Sequence, residues 1–530
     1  MKWQILSEKK GDIIETLLKN REIKNTEEFF EPKSPYKISL KTLGVKSTNI
    51  KKAVDRIKKA KKNNEQVIIY GDYDADGITA TAIMWEAMHS FGLDVLPHIP
   101  DRFEEGYGIN ATSVENLKSE ISNLKLIVTV DNGIVATDGI KKAKELGIDT
   151  IVIDHHQKGK LLPSAYSLIH SDKVCGSALA WFFAKELGID KGLELAAIGT
   201  VADQMPLTGV NRPIVKYGLA ELKNTKRPGL MALFKDAKVE EVGTYEVNYI
   251  IAPRINAMGR LAKGIDSLRL LCTKKAEKAL ELSNLLTKTN VDRQKVVNVV
   301  VLHTLEQIKN KDIPAIIVMS HETYHEGVIG LAAGKLVEEF YRPAIVFSKG
   351  KIKSKASARS IPGFNIIEAI RATGMILEGG GHPMAAGFSL ETAKIEKFTK
   401  EINKIAAKIL TKELLERKLK IDLEINFDDV TQTLYRKLEK FNPTGMGNPT
   451  PTFATRDVDV VSARTVGDGD KHLKLKLAES EQTFDAIYFG GGEIFKKIKS
   501  DSKIDVAYTI DENVWNGNVS LQLKIRDVNF

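Results

Sequence analysis

Acids and imidazoles follow a series of short apolar runs in the first half of this 530-residue chain. QVIIY leads into GDYDADG, with Asp72, Asp74 and Asp76; KLIVTV leads into Asp131; TIVI leads into Asp154, His155 and His156; AAIGTVAD ends on Asp203. In an open parallel α/β sheet, ligands collect beyond the carboxyl ends of the strands, so residues distant in sequence converge there. Gathering this many carboxylates in one crevice costs on the order of several kcal/mol in repulsion unless cations bind. Oxygen ligands with imidazole, and no sulfur, select Mn²⁺ or Mg²⁺ over a structural zinc. A single Asp after a strand is most often a helix N-cap, and DxDxDG also resembles the start of a calcium loop. The calcium reading fails because position twelve from Asp72 is Ile83 rather than Glu, and a strand precedes the loop.

The elements around these residues support that placement. From Gln66 to about Val201, β-branched runs alternate with amphipathic stretches, including a helix from Thr79 to Phe91 and another near Val135 to Leu146. This is the pattern of a parallel sheet wrapped by helices. AEKALELSNLL and VDRQKVVNVVVLHTLEQI carry apolar residues at helical spacing and predict a long connecting helix. A second α/β pattern opens at PAIIVMS and closes with a helix from Glu391 to Leu410, and from about Leu419 alternating strands predict a small β-barrel. The expected domains are an N-terminal extension (1–50), a first α/β domain (51–215), a helical connector (216–310), a second α/β domain (311–412) and a barrel (413–530). The basic run Ile50 to Lys62 places Ile50, Val54 and Ile57 at i, i+4 and i+7, so it reads as a solvated amphipathic helix rather than a nucleic-acid arm.

Composition removes several classes. Hydrophobic residues make up 43% and charged residues 28%, which excludes general disorder. The net charge of +9 permits a polyanionic partner without demanding one. Cys175 and Cys272 form no CxxC, so thiolate zinc sites and a disulfide framework are excluded, and a reducing cytoplasm fits best. No apolar run reaches membrane-span length and the first ten residues are too polar for a signal core, so no membrane association is expected.

Taken in order, GDYDADGITA, PDRFEEGYGI, TVDNGI, IDHH, GTVADQMPL, RINAMGR, EGVIGLAAGKL, SARSI, GGGHPMAAGF and PTGMGNPTPTF resemble the DHH phosphoesterase superfamily. Within it they resemble the RecJ-type single-strand-specific 5′ exonucleases. The match covers nearly the whole chain beyond Ile50. It differs at Tyr70, where the superfamily often has His, at Gln204 and Met205, and at Tyr324. The resemblance implies an α/β fold comprising a parallel-sheet DHH domain, a long connecting helix, a second DHHA1-type α/β domain and a C-terminal OB-type barrel. It implies Asp74, Asp76, Asp131, His155 and Asp203 as ligands of two Mn²⁺ or Mg²⁺ ions, with Asp72, Asp154 and His156 in catalytic roles beside them. A two-metal site activates water and stabilises both oxygens of an in-line displacement, so no Ser or Cys nucleophile is needed.

Substrate capture is assigned in the same way to Arg102, Tyr107, Arg254, Asn256, Arg260, Ser357, Arg359, Gly380, Gly381 and His382. Glycines there let backbone approach a phosphate. GLAAGKL lacks P-loop spacing, since Leu336 follows Lys335. Lys474 and Lys476, with Tyr488 and Phe489 nearby, suggest a single-strand platform on the barrel. The implied activity is metal-dependent 5′→3′ hydrolysis of single-stranded DNA to 5′-mononucleotides in recombination and repair. The implied setting is a monomer assisted by a single-strand-binding protein and a RecQ-type helicase. The rivals are a phosphodiesterase for cyclic dinucleotides or very short oligonucleotides, opposed by the barrel and long helix, and a non-catalytic DNA-bound scaffold, opposed by the intact acids.

Overall fold

The computed structural model describes residues 1–8, 11–309, 312–498, 503–515 and 517–530; the connector boundary expected at 310/311 lies outside them. Two compact units form. One joins Met1–Ser34, Gln204–Lys216 and Lys418–Phe530, and the other comprises Pro35–Asp203 and Tyr217–Arg417.

The chain opens with β1 (Lys2–Ser7). In the larger unit, β2 (Gln66–Tyr70), β3 (Val95–His98), β4 (Leu124–Val130), β5 (Asp149–Asp154) and β6 (Ser167–His170) form a wholly parallel sheet in the order β3-β2-β4-β5-β6. Val67 to Tyr70 and Leu126 to Val130 are all buried, as strands covered by helices on both faces must be. The order reverses at β2, because the chain steps outward to β3 and then crosses back to β4. The carboxyl ends of β2 and β4 therefore flank a topological switch point.

The first crossover helix runs Ala75–Phe91, four residues earlier than its apolar periodicity suggests. Its N-cap is Asp74, inside the acid motif, and its first turns are buried on every side, which erases the amphipathic signal at that end. The basic run forms the helix Ser47–Lys62, with Ile50, Ala53, Ile57 and Ala60 turned inward and most lysines outward. Arg56, also buried, pairs with Glu65 and Asp149.

A single 33-residue helix, Ala276–Ile308, supplies the connector. Beyond it, β7 (Ile317–His321), β8 (Ala344–Ser348), β9 (Lys353–Arg359), β10 (Glu378–His382) and β11 (Ala385–Glu391) make a mixed sheet ordered β10-β11-β9-β8-β7, in which only β7 and β8 run parallel.

In the other unit, β12 (Lys418–Glu424) is followed by β13 (Phe453–Val466), β14 (His472–Glu479), β15 (Gln482–Tyr488), β16 (Lys503–Trp515) and β17 (Asn518–Asn529). Because β13 pairs with both β14 and β16, the last five close into a barrel, while β1 pairs in parallel with β12 at its flank. Leu473, Leu475 and Leu477 face the core, leaving Lys474 and Lys476 outside. Tyr488 packs against that core, whereas Phe489 is 61% exposed, edge-on to His472. Leu17, Leu18 and Phe29 share the barrel core, so the N-terminal segment is part of the same folding unit. Among the described residues, no helix is long and apolar enough to cross a membrane.

Candidate metal centre and phosphate cleft

The acids after β2 are held by helix N-termini. Asp74 Oδ1 accepts the Gly77 N–H at 3.0 Å, and Asp76 accepts the N–H groups of Gly176 and Ser177 at 2.7 and 2.9 Å, where the helix Gly176–Glu186 begins. Free N–H groups and the helix dipole both favour negative charge at such ends. Missing side chains make the approach possible. A Cβ on Gly77 would stand 2.5 Å from Asp72 Cβ, one on Gly176 2.4 Å from Asp131 Oδ1, and one on Gly199 2.3 Å from Asp76 Oδ1.

After β4, Asp131 holds a φ of 61°, a left-handed conformation that costs a non-glycine residue on the order of 1–3 kcal/mol. Buried Asn132 fastens the two strand ends together, its Nδ2 donating to the carbonyls of Tyr70, Gly71 and Val130 at 3.2, 3.0 and 2.9 Å. Tyr70, at the position where His is common, is fully buried and its hydroxyl donates to the Gly108 carbonyl at 3.3 Å.

His155 Nε2 lies 3.1 Å from Asp131 Oδ1 and 3.8 Å from both Asp76 Oδ2 and Asp203 Oδ2. Asp154 Oδ2 accepts the Ile134 N–H at 2.8 Å, while its Oδ1 stands 2.8 Å from His156 Nδ1. His156 Nε2 faces the Tyr107 hydroxyl at 3.2 Å. Three overlapping groups bring their donor atoms within 4.8 Å of one another: Asp131, His155 and His156; Asp76, His155 and Asp203; and Asp72, Asp74 and Asp131. Asp203 is the most open carboxylate in these groups, its side chain 33% exposed.

Burial, and then the neighbouring carboxylates, raise the pKa values of Asp72, Asp74 and Asp131; the same causes push Asp203 from 3.8 to about 8. Burial opposes the charged forms of Asp154 and His156 too, but their mutual hydrogen bond and attraction prevail. Asp154 is held below its usual value and His156 is raised to about 9. Oδ1 of Asp72 and Oδ1 of Asp131 are buried without a hydrogen-bond partner among the described residues. Donor-less carboxylate oxygens converging beside an imidazole fit a hard divalent cation, and these residues fit Mn²⁺ or Mg²⁺.

A pH dependence follows. Carboxylates whose folded pKa is raised contribute stability present below their unfolded pKa and lost as pH rises through the folded value. Metal-free protein is therefore expected to melt at a lower temperature at pH 8 than at pH 5.5, with Mn²⁺ raising the melting temperature more at pH 8. An equal metal-induced shift at both pH values, measured by calorimetry against EDTA, would contradict the coupling.

Beside the acids lies a cleft of about 480 Å³ lined by Tyr73, Arg102, Phe103, Arg260, Ser357 and Arg359 among others. Tyr73, between Asp72 and Asp74, carries the Arg102 guanidinium 5.0 Å above its ring. Arg260 Nη1 donates to the Gly327 carbonyl at 3.2 Å, and Arg359 Nη1 donates to Ser357 Oγ at 3.2 Å and the Ala358 carbonyl at 2.9 Å. Among the described residues none of these arginines has a carboxylate partner. Burial and then Arg102 lower Arg260 to about 10, and the same two causes lower Arg359. Glu326 and Glu378 also line the cleft but pair with Lys355 and Lys353, so the three half-buried guanidiniums are left to form an anion site.

The remaining candidates are placed differently. Asn256 Oδ1 accepts the Ala75 N–H at 2.7 Å and so braces the acid loop. Arg254 donates to Thr287 Oγ1 and the Ile250 carbonyl. Gly380, Gly381 and His382 lie on the exposed edge strand β10; Gly379 reaches the cleft and these three do not. Sequence reasoning missed Phe103 in the cleft wall and Arg293, a half-buried cation whose charge reaches Arg260. It also missed Gly176 and Gly199, for which closeness to an acid in space is the only signal.

Residues 66–200 match the DHH family N-terminal domain, 312–408 the DHHA1 domain and 421–527 the RecJ OB domain. The chain is 35% identical over 496 residues to the single-stranded-DNA-specific exonuclease RecJ of Bacillus subtilis, aligning 90% of this chain with 63% of that protein's length. It is 31% identical over 525 residues to the Escherichia coli protein of the same name, covering 91% of this chain and 90% of that one. The crystal structure of RecJ with Mn²⁺ from Thermus thermophilus matches with a TM-score of 0.85 at 27% identity, covering all of this chain and 79% of that one. The Mg²⁺ complex from the same organism matches with a TM-score of 0.75 at 26% identity, covering all of this chain and 78% of that one.

Proposed function

The chain belongs to the RecJ family of single-stranded-DNA-specific exonucleases, and from that premise we propose that it is a metal-dependent hydrolase that removes 5′-mononucleotides from single-stranded DNA. The observation that carries the reading is the adjacency of two opposite, uncompensated charge groups. Carboxylate oxygens without a hydrogen bond converge at the switch point, and beyond Tyr73 stand arginines that, among the described residues, pair with no carboxylate, the cleft's Glu326 and Glu378 being taken up by Lys355 and Lys353. A polyanion bridging to divalent cations satisfies both at once.

Asp74, Asp76, Asp131, His155 and Asp203 hold Mn²⁺ or Mg²⁺ in this reading, with Asp72 adding a carboxylate oxygen to the same space. When bound, the ions activate a water and polarise the scissile phosphate. Asp154 orients the His156 ring and favours its protonated form by accepting from Nδ1, and His156, protonated at neutral pH, donates from Nε2 to a non-bridging phosphate oxygen. Tyr107 shares that nitrogen and helps orient it. Arg102, Arg260, Ser357 and Arg359 take the strand's terminal phosphate. That anchoring leaves the first internal diester over the metals and sets product length at one nucleotide. Arg254 and Asn256 act by positioning the helix Ala252–Leu261, and Gly380, Gly381 and His382, on the exposed edge strand outside the cleft, would meet the strand only if it runs past that edge.

The barrel would supply further contacts to the strand. Changing Lys474 and Lys476 together to Glu should weaken binding of long strands and lower the slope of log K against log salt by roughly 0.7 per lost phosphate contact. An unchanged slope would remove the barrel from the interface. The domain boundaries given above, a cytoplasmic location, a monomeric state, and cooperation with a single-strand-binding protein and a RecQ-type helicase belong to the same proposal. Comparing single strands, duplexes and a cyclic dinucleotide, each with Mn²⁺ or EDTA, tests it. Metal-dependent loss of the single strand alone is expected, whereas preference for the cyclic dinucleotide would favour the small-substrate rival.

A further inference from the structure

We propose that Tyr245 and Tyr249 form a stacking platform for nucleobases of the single strand that leaves the metal centre; the proposal rests on the single-strand reading above. The two side chains are 63% and 64% exposed, and their rings stand 4.9 Å apart at 38°. Isolated exposed apolar residues are ordinary on protein surfaces. Two tyrosines packed ring against ring and both left mainly in water are different, since together they present a continuous aromatic face.

The backbone explains their joint exposure. They bracket the start of a single π-helical turn, Val247–Ile251, which widens the helix just before Ala252–Leu261. Val247 and Ile251 are buried and anchor the turn, so residues 245 and 249 point the other way. Such turns recur at functional sites.

Continuity with the site supplies the occupant. The turn packs against Leu193–Ala202, the helix whose C-cap is Asp203. On its other side it runs directly into the helix that carries Arg254, Asn256 and Arg260. At 1.5 Å per residue, Tyr249 lies about 10 Å along the helix from Asn256, which bonds to the acid loop, and about 16 Å from Arg260 in the cleft. That span suits a few nucleotides of extended strand. Arg254 is half-buried between these points, burial lowering its pKa, and among the described residues only its Nε and Nη1 are bonded. Thr287 joins Arg254 to Asp236, and Lys235 and Lys288, their neighbours in sequence, are exposed. Aromatic faces with flanking cations hold single strands without regard to sequence.

The test uses the full-length protein in EDTA and 5′-phosphorylated oligothymidines of graded length, with binding followed by anisotropy. Replacing both tyrosines by Ala should weaken binding about tenfold or more once the strand is long enough to reach them, and leave the shortest strands unaffected. Replacing both by Phe should preserve binding, because the ring face is kept. Abasic nucleotides introduced one position at a time should weaken the wild type at one or two positions and lose that effect in the Ala variant. A length profile shared by wild type and Ala variant, or Phe substitutions as harmful as Ala, would overturn the platform while leaving the exonuclease reading intact. Failure of the wild type to bind any single strand would instead overturn the reading on which the platform rests.

Discussion

Asp131→Asn is expected to reduce strand cleavage by at least about a thousandfold while leaving single-strand binding within a few-fold of the unaltered protein. The carboxylate stands in two of the three groups able to hold a cation, and its Oδ1 makes no hydrogen bond among the described residues, with His155 Nε2 3.1 Å away. Losing it removes several kcal/mol of transition-state charge stabilisation, and about 4 kcal/mol corresponds to a thousandfold in rate. Asn is the informative replacement because it tolerates the left-handed φ of 61°, whereas Ala would add strain. Burial and four neighbouring acids raise the Asp131 pKa, so the variant should melt higher than the parent in EDTA near neutral pH. Unfolding therefore cannot account for lost activity. Cleavage within tenfold of the parent would remove Asp131 from the centre.

Arg359→Ala should lower kcat/KM on strands with a 5′ phosphate roughly ten- to a hundredfold, the value of one charge-assisted contact of about 1.5 to 3 kcal/mol. Strands ending in a 5′ hydroxyl should suffer less, because an internal diester carries about one charge fewer than a terminal phosphate. The guanidinium is already oriented by Ser357 Oγ and the Ala358 carbonyl, so Arg359→Lys, keeping charge but not the planar fork, should fall between. Equal losses on the two strand types would reject the cleft as the terminal-phosphate site.

What could be read from the chain follows its local physics. Alternating strand and helix patterns located the parallel sheet, and acids placed directly after apolar runs pointed to the carboxylate and imidazole groups that the fold gathers, because a period of two or 3.6 and a strand end are properties of neighbouring residues. The membership of β1, Leu17 and Phe29 in the barrel unit carries no local signal, since their partners lie some four hundred residues away. Asp74 is both metal-centre acid and helix cap, and this double duty hid the true start of its helix. Arg260 and Arg359 were legible through motifs. Arg293 was not, since one of several cations on a long amphipathic helix looks like solvated surface until Arg260 is found beside it.

The most direct measurement is the order of product release from one long single strand carrying distinguishable labels at its 5′ and 3′ terminal nucleotides, incubated with Mn²⁺. The account predicts that the 5′ label appears first, as a mononucleotide, and that the 3′ label stays in a steadily shortening strand until the end. The same strand in EDTA should remain intact. Early release of the 3′ label, or internal fragments longer than one nucleotide carrying the 5′ label, would contradict it.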